Sequence, residues 1–198
     1  MTASHGSSLP LVSVLWPAQA ANRWLRLGLL AFAGSAVLAV SSKINVPLWP
    51  VPITMQTFAL LVIAGAFGSR LAVATVLLFL AEGLAGLPVF AGANAGPAVL
   101  AGPTGGYLIG WIAAAWIIGR LAERGFDRRF ATTALAMLAG NAVIYLFGLP
   151  WLARFVPWDQ VLMAGLVPFL IGDGAKLLLA AIALPTAWRL IGRQGTGA

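Results

Sequence analysis

The chain has 198 residues, of which 61% are hydrophobic and only 9% charged, against roughly 25% charged in soluble domains. Cysteine is absent, which excludes disulfides and thiol chemistry and leaves the redox compartment unread. Twelve Lys and Arg against five Asp and Glu give +7, but these charges sit at the edges of long apolar runs, so anionic lipid and not nucleic acid is the expected neighbour.

Composition therefore indicates an all-α integral membrane protein. Residues 1–22 carry neither Lys nor Arg nor a long apolar core and are expected to be a flexible leading segment, not a signal peptide. Residues 23–192 are expected to form one membrane domain, followed by a short tail at 193–198. A crossing needs about 20 apolar residues, and six spans are predicted near Trp24–Ser42, Ile53–Ser69, Leu71–Leu87, Thr104–Ala122, Ala131–Leu149 and Ile171–Leu190. The second and third form a tight hairpin. Before the sixth, "WDQVLMAGLVPF" is apolar but too short to cross, and reads as interfacial or re-entrant.

Basic residues set the orientation. Arg23, Arg26, Arg70, Arg120, Arg124, Arg128, Arg129, Arg189 and Arg193 fall on one side, and only Lys43 and Arg154 on the other. Under the positive-inside rule both termini are cytoplasmic. The three long connections rich in Pro, Gly and aromatics, among them "GLPVFAGANAGPAVLAGPTGG", then share the outer face. Irregular backbone cannot face lipid without unpaired peptide groups, so these loops are expected to pack together or to line a cavity open to the outside.

Catalysis is poorly supported. The single histidine, His5, lies in the leading segment, and neither a nucleophile elbow, a zinc motif nor a phosphate-binding GxxxxGK[ST] loop occurs. No metal site is expected. Asp173 and Lys176 in "IGDGAK" share a helix face inside a span, where ionisable groups suggest function; the alternative is a structural ion pair. Thr54, Gln56 and Thr57 open the second span, and the Gln56 amide both donates and accepts, suiting an amide or ureido group. Asn94 and Tyr107 either lock loops or touch ligand. Phe90 belongs to a pocket or to an aromatic belt. Lys43 either draws an anion inward or snorkels. Ala31, Ser35 and Ala39 repeat a small residue every fourth position, which lets a helix approach closely, either within the chain or from a partner subunit. Glu82 and Asn141 have no role at this stage.

In order and spacing, "PLWPVPITMQT", "GLPVFAGANAG", "GPTGGYLIG" and "GLVPFLIGDGAK" resemble the BioY family of biotin-specific S components of energy-coupling factor (ECF) transporters, over about Ala31 to Ala180. The resemblance implies a multi-pass protein of the cytoplasmic membrane with six helices, which captures biotin from outside with its loops and outer helix halves. It further implies that a transmembrane coupling protein and two ABC ATPases energise uptake, so that ATP is used by the partners and this chain needs no cofactor and is not an enzyme. Asp173 and Lys176 match the family's GDxxK pair at the biotin headgroup or carboxylate, with Asn94 and Lys43 as looser matches. An S component for another vitamin, or an autonomous biotin carrier, is the competing reading. Oligomeric state is left open.

Overall fold

A computed structural model describes residues 9–16 and 22–194. Its principal elements in chain order are α1 (Leu11–Leu15), α2 (Arg23–Lys43), β1 (Asn45–Val46), β2 (Ile53–Thr54), α3 (Gln56–Phe67), α4 (Ser69–Leu84), α5 (Pro97–Ala101), α6 (Gly105–Ala122), α7 (Phe130–Leu152), α8 (Val161–Gly165) and α9 (Val167–Gln194). Helices α2, α3, α4, α6, α7 and α9 overlap the six segments predicted as spans. Four helical stretches among the described residues are long and apolar enough to cross a bilayer: Arg23–Lys43, Gly105–Ala122, Phe130–Leu152 and Trp158–Ile191. At 12 and 16 residues, α3 and α4 measure about 18 and 24 Å at 1.5 Å per residue, short of a hydrocarbon core of roughly 30 Å.

The difference at α3 has a local cause. The expected second span begins at Ile53, but Ile53 and Thr54 pair antiparallel with Val46 and Asn45. This small hairpin carries the cis peptide Trp49–Pro50, and its Pro-rich tip cannot continue a helix. Helix α3 therefore starts at Gln56, whose backbone N–H donates to Thr54 Oγ1 at 3.2 Å. The predicted all-α class is amended by these two short strands.

At the opposite end of α3, Gly68 turns the chain with φ +77° into α4. There Ser69 N and Oγ both donate to Glu123 Oε1 at 2.8 Å, so a carboxylate from the end of α6 caps the positive N-terminus of α4. Pro10, just before α1, lies over the same glycine. Leu11 and Val12 are buried, and Arg26 Nη2 donates to Val12 O at 3.0 Å. The leading segment expected to be flexible thus contains a docked helix at residues 11–15, because two apolar side chains and a guanidinium fasten it; residues 1–8 and 17–21 lie outside the described residues. Helix α9 continues to Gln194, past the expected start of a tail, and 195–198 also lie outside.

Helices α6 and α7 pack at near backbone contact. A Cβ on Gly106 would stand 2.3 Å from Trp151 Cβ and 2.6 Å from Phe147 O, so only glycine permits the approach. The apolar stretch before α9 forms a 3-10 turn (Trp158–Gln160) and α8, broken at Leu166, after which α9 begins at Val167, four residues earlier than predicted. Pro168 falls in the first turn of α9, where its missing N–H has no partner to lose.

The small-residue ladder of α2 points inward. Ala31 and Ser35 are buried, Ala39 packs against the core, and Ser35 Oγ donates to Glu82 Oε2 on α4. Of the two roles open to Ala31, Ser35 and Ala39, internal packing or a partner-docking face, the structure shows their small side chains used for helix packing within the chain. Glu82 gains a partner at the same time. The face of α2 left uncovered carries Phe32, Val37 and Val40.

Candidate functional site

The end of the bundle away from the α3–α4 turn holds a cavity of about 540 Å³. Its walls come from the β1–β2 hairpin, the first turn of α3, the loop between α4 and α6, the start of α6, the middle of α7 and the start of α9. Most of the lining is apolar: Pro47, Leu48, Val51, Phe90, Val99, Leu108, Trp111, Ile144 and Phe169 among others.

Polar groups converge at one place on this surface. Lys176 Nζ donates to Asp173 Oδ1 at 3.1 Å and to Thr57 Oγ1 at 3.0 Å. Tyr145 Oη donates to Asp173 Oδ2 at 2.5 Å. Asp173 is 8% exposed and Lys176 6%, so both charges are withdrawn from water and each is held by its partner and a hydroxyl. A buried pair of this kind contributes little net stability, yet it presents a carboxylate and an ammonium side by side on an apolar surface. Each carboxylate oxygen has one lone pair left, and the ammonium has one unassigned N–H.

The other predicted residues divide clearly. Gln56 is buried on the cavity wall, with Nε2 donating to Leu38 O at 3.3 Å and Oε1 within 3.4 Å of Thr54 Oγ1. Tyr107 lines the cavity with its ring, while its hydroxyl donates to Gly165 O at 2.9 Å and ties α6 to α8. Asn94 lines the cavity and donates to Ala91 O at 2.9 Å, within its own loop. Phe90 lines the cavity and is 2% exposed, placing it in a pocket and not in a belt. Thr54 is on the wall. The cavity thus brings together Asp173, Lys176, Asn94, Gln56, Thr54, Tyr107 and Phe90. Lys43 does not line it; its ammonium is directed to loop carbonyls instead.

Tyr145 was not singled out from the sequence, although it shares a helix face with Asn141, Ile144 and Gly148. That spacing, inside an otherwise featureless apolar run, is the signal that marks an inward face. Asn141 proves buried on it. Asn45 and Trp111 also line the cavity unforeseen. Among the described residues, no three His, Cys, Asp or Glu side chains gather in one place.

A helical fold with several apolar spans and an apolar cavity bearing a buried acid–base pair is the architecture of an integral membrane protein with room for a small molecule. Comparison with known proteins narrows this. The sequence profile of the BioY family matches residues 17–193, and the chain belongs to that family. It is 38% identical over 150 residues to the biotin transporter BioY of Thermotoga maritima, covering 75% of this chain and 87% of that one. It is 32% identical over 169 residues to the biotin transporter BioY of Rhizobium etli, covering 81% and 90%. Among solved structures, the S-component for biotin from an ECF-type ABC transporter superposes with a TM-score of 0.77 at 25% identity, covering 87% of this chain and 95% of that one.

Proposed function

We propose that this chain captures biotin on the outer side of the cytoplasmic membrane and serves its uptake as the substrate-binding S component of an ECF transporter. The observation that carries the reading is the Asp173–Lys176–Thr57–Tyr145 constellation on the wall of an apolar cavity. A ureido group offers N–H donors on either side of one carbonyl. An N–H meets the open lone pair of Asp173, and the carbonyl meets the remaining N–H of Lys176. The thioether ring and valeryl chain lie against Trp111, Phe169, Leu108 and Phe90, as small-molecule pockets require. The carboxylate reaches toward Asn94, whose amide has one N–H beyond the bond to Ala91 O.

In this reading all six long helices lie within the membrane domain, with α3 and α4 reaching the interfaces through their flanking segments. Both termini are cytoplasmic and the cavity opens outward. The contacts among α1, the α3–α4 turn and the end of α6 support this topology by gathering the basic-rich connections at one end. The chain works as a non-enzymatic subunit, and a transmembrane coupling protein with two ABC ATPases supplies the energy.

Equilibrium binding of radiolabelled biotin to the purified protein, with unlabelled vitamins as competitors, tests the proposal. Wild type binds biotin selectively and Lys176→Ala does not. Failure of well-folded wild type to bind would sink the biotin reading, and displacement by a different vitamin would redirect it. Reconstituted uptake that requires ATP and the partner subunits supports the S-component role; uptake by the chain alone identifies an autonomous carrier.

A further inference from the structure

Residues 86–104 form one wall of the cavity and are fastened at both ends. At the near end, Lys43 Nζ donates to Pro88 O at 2.5 Å, Gly92 O at 2.6 Å and Phe90 O at 3.0 Å. An ammonium has three N–H donors, and each is directed to a carbonyl of this one turn. Ser42 Oγ, whose one proton is shared with Ala39 O at 2.7 Å, lies 3.2 Å from Phe90 O. At the far end, Trp151 Nε1 donates to Gly102 O at 2.9 Å.

The turn that Lys43 gathers also carries the ligand-facing surface. While its carbonyl is held by Lys43, Phe90 sends its ring inward over Gly83, where a Cβ would come within 2.1 Å of it, and edge-on to Phe79 at 5.5 Å. Ala91, Gly92 and Asn94 follow along the cavity wall. Lys43 itself stays off that wall.

We propose that Lys43 is the latch of a lid: a positioning residue that sets how fast ligand enters and leaves without touching it. Bonds from a charged donor are roughly twice as strong as neutral ones, so releasing this one side chain loosens the turn within residues 86–96 that lies between the backbone bonds Leu87 N to Glu82 O and Gly96 N to Gly83 O, while Trp151 still holds the far edge as a hinge. Three convergent carbonyls suit a compact ammonium and not a planar guanidinium. That separates a latch from the other role open to an exposed cation, the electrostatic steering of an anionic ligand, which depends on charge alone. The kinetic readout rests on the biotin-capture reading; the mechanical readout does not.

Two variants and two measurements decide it. Lys43→Met keeps the aliphatic stem without the ammonium, and Lys43→Arg keeps the charge without the geometry. In nanodiscs, both variants are expected to release radiolabelled biotin about ten-fold faster, the equivalent of roughly one charge-assisted hydrogen bond, with no slowing of association. In ligand-free protein, hydrogen exchange of the amides of 86–96 is expected to rise in both variants while α6 and α7 stay unchanged. Unaltered exchange in Lys43→Met overturns the latch. So does slower, salt-dependent association in Lys43→Met that Lys43→Arg restores, which is the signature of steering. If wild type binds no biotin, the capture reading fails and the exchange experiment still settles the latch.

Discussion

Tyr145 and Asp173 are 28 residues apart on α7 and α9, and the hydroxyl of one holds a carboxylate oxygen of the other. In the biotin-capture reading, this bond makes Tyr145 a residue that acts on ligand chiefly through the aspartate. Asp173→Asn is expected to weaken biotin binding by about 1.5–3 kcal/mol, roughly ten- to a hundred-fold, since a buried donor loses a charged acceptor. Tyr145→Phe should also weaken it, but should cost little more once Asp173 is already Asn. A double-mutant cycle by equilibrium binding measures this, and additive effects would show that Tyr145 contacts ligand independently.

Asp127, in the connection between α6 and α7, offers a different residue-scale test. It is 3% exposed, accepts a hydrogen bond from Trp188 Nε1 through Oδ2, and leaves a buried Oδ1 without a partner. Burial raises its carboxyl above the ordinary aspartate value, against the lowering effects of its hydrogen bonds from Trp188 and its own backbone N–H and of the nearby Arg128. The folded state thus binds a proton more readily than the unfolded chain. The sign follows: stability falls as pH rises from the unfolded aspartate pKa, about 4, through the raised folded value, and is regained on acidification. Asp127→Asn should flatten that slope in thermal unfolding scans across the acidic range, and an unchanged slope would assign it to other groups.

At the scale of elements, α2 shows how one periodicity serves two possible purposes. A small residue every fourth position is equally suited to an internal and an external helix contact, and only the position of α4 decides between them. Because Ser35 is fully buried and bonded to Glu82, Ser35→Trp should destabilise the protein by about 1–3 kcal/mol or more through overpacking, whereas Val40→Trp, on the exposed side, should not. Detergent thermal unfolding separates them; equal midpoints would mean that the α2–α4 contact is pliable. The same helix ends in Lys43, which a hydropathy reading places at an interface but whose partners, three carbonyls more than forty residues away, no local pattern encodes.

For the whole molecule, the helices were legible because lipid imposes a simple rule: about twenty apolar residues, charges at the ends, and no unpaired backbone between. Asp173 and Lys176 were legible for the complementary reason, as charges where the rule forbids them. What escaped prediction was set by contacts across the fold. The β1–β2 hairpin replaced the first turn expected for α3. Helix α1 was obscured because its five residues are too few to be periodic, and its docking depends on Arg26 and on the turn at Gly68. Tyr145 was hidden because an aromatic in an apolar run looks like any other lipid-facing side chain until α9 packs beside it.

The pairing of Asp173 with Lys176 also has an electrical meaning. One positive and one negative charge, 3.1 Å apart, sum to zero, so carrying the vacant pocket across a membrane voltage does almost no work on its own charges. A single uncompensated charge there would exchange about 2.3 kcal/mol with each 100 mV crossed. If the subunit reorients to deliver its cargo, the neutral pair should add no voltage dependence of its own to the unloaded return, and collapsing the membrane potential in loaded vesicles should change the return rate of wild type less than that of a variant that unbalances the pair. A Lys176→Met variant, left with a lone carboxylate, should become more voltage-sensitive in the same assay, making the ion pair the pocket's insulation from the cell's voltage.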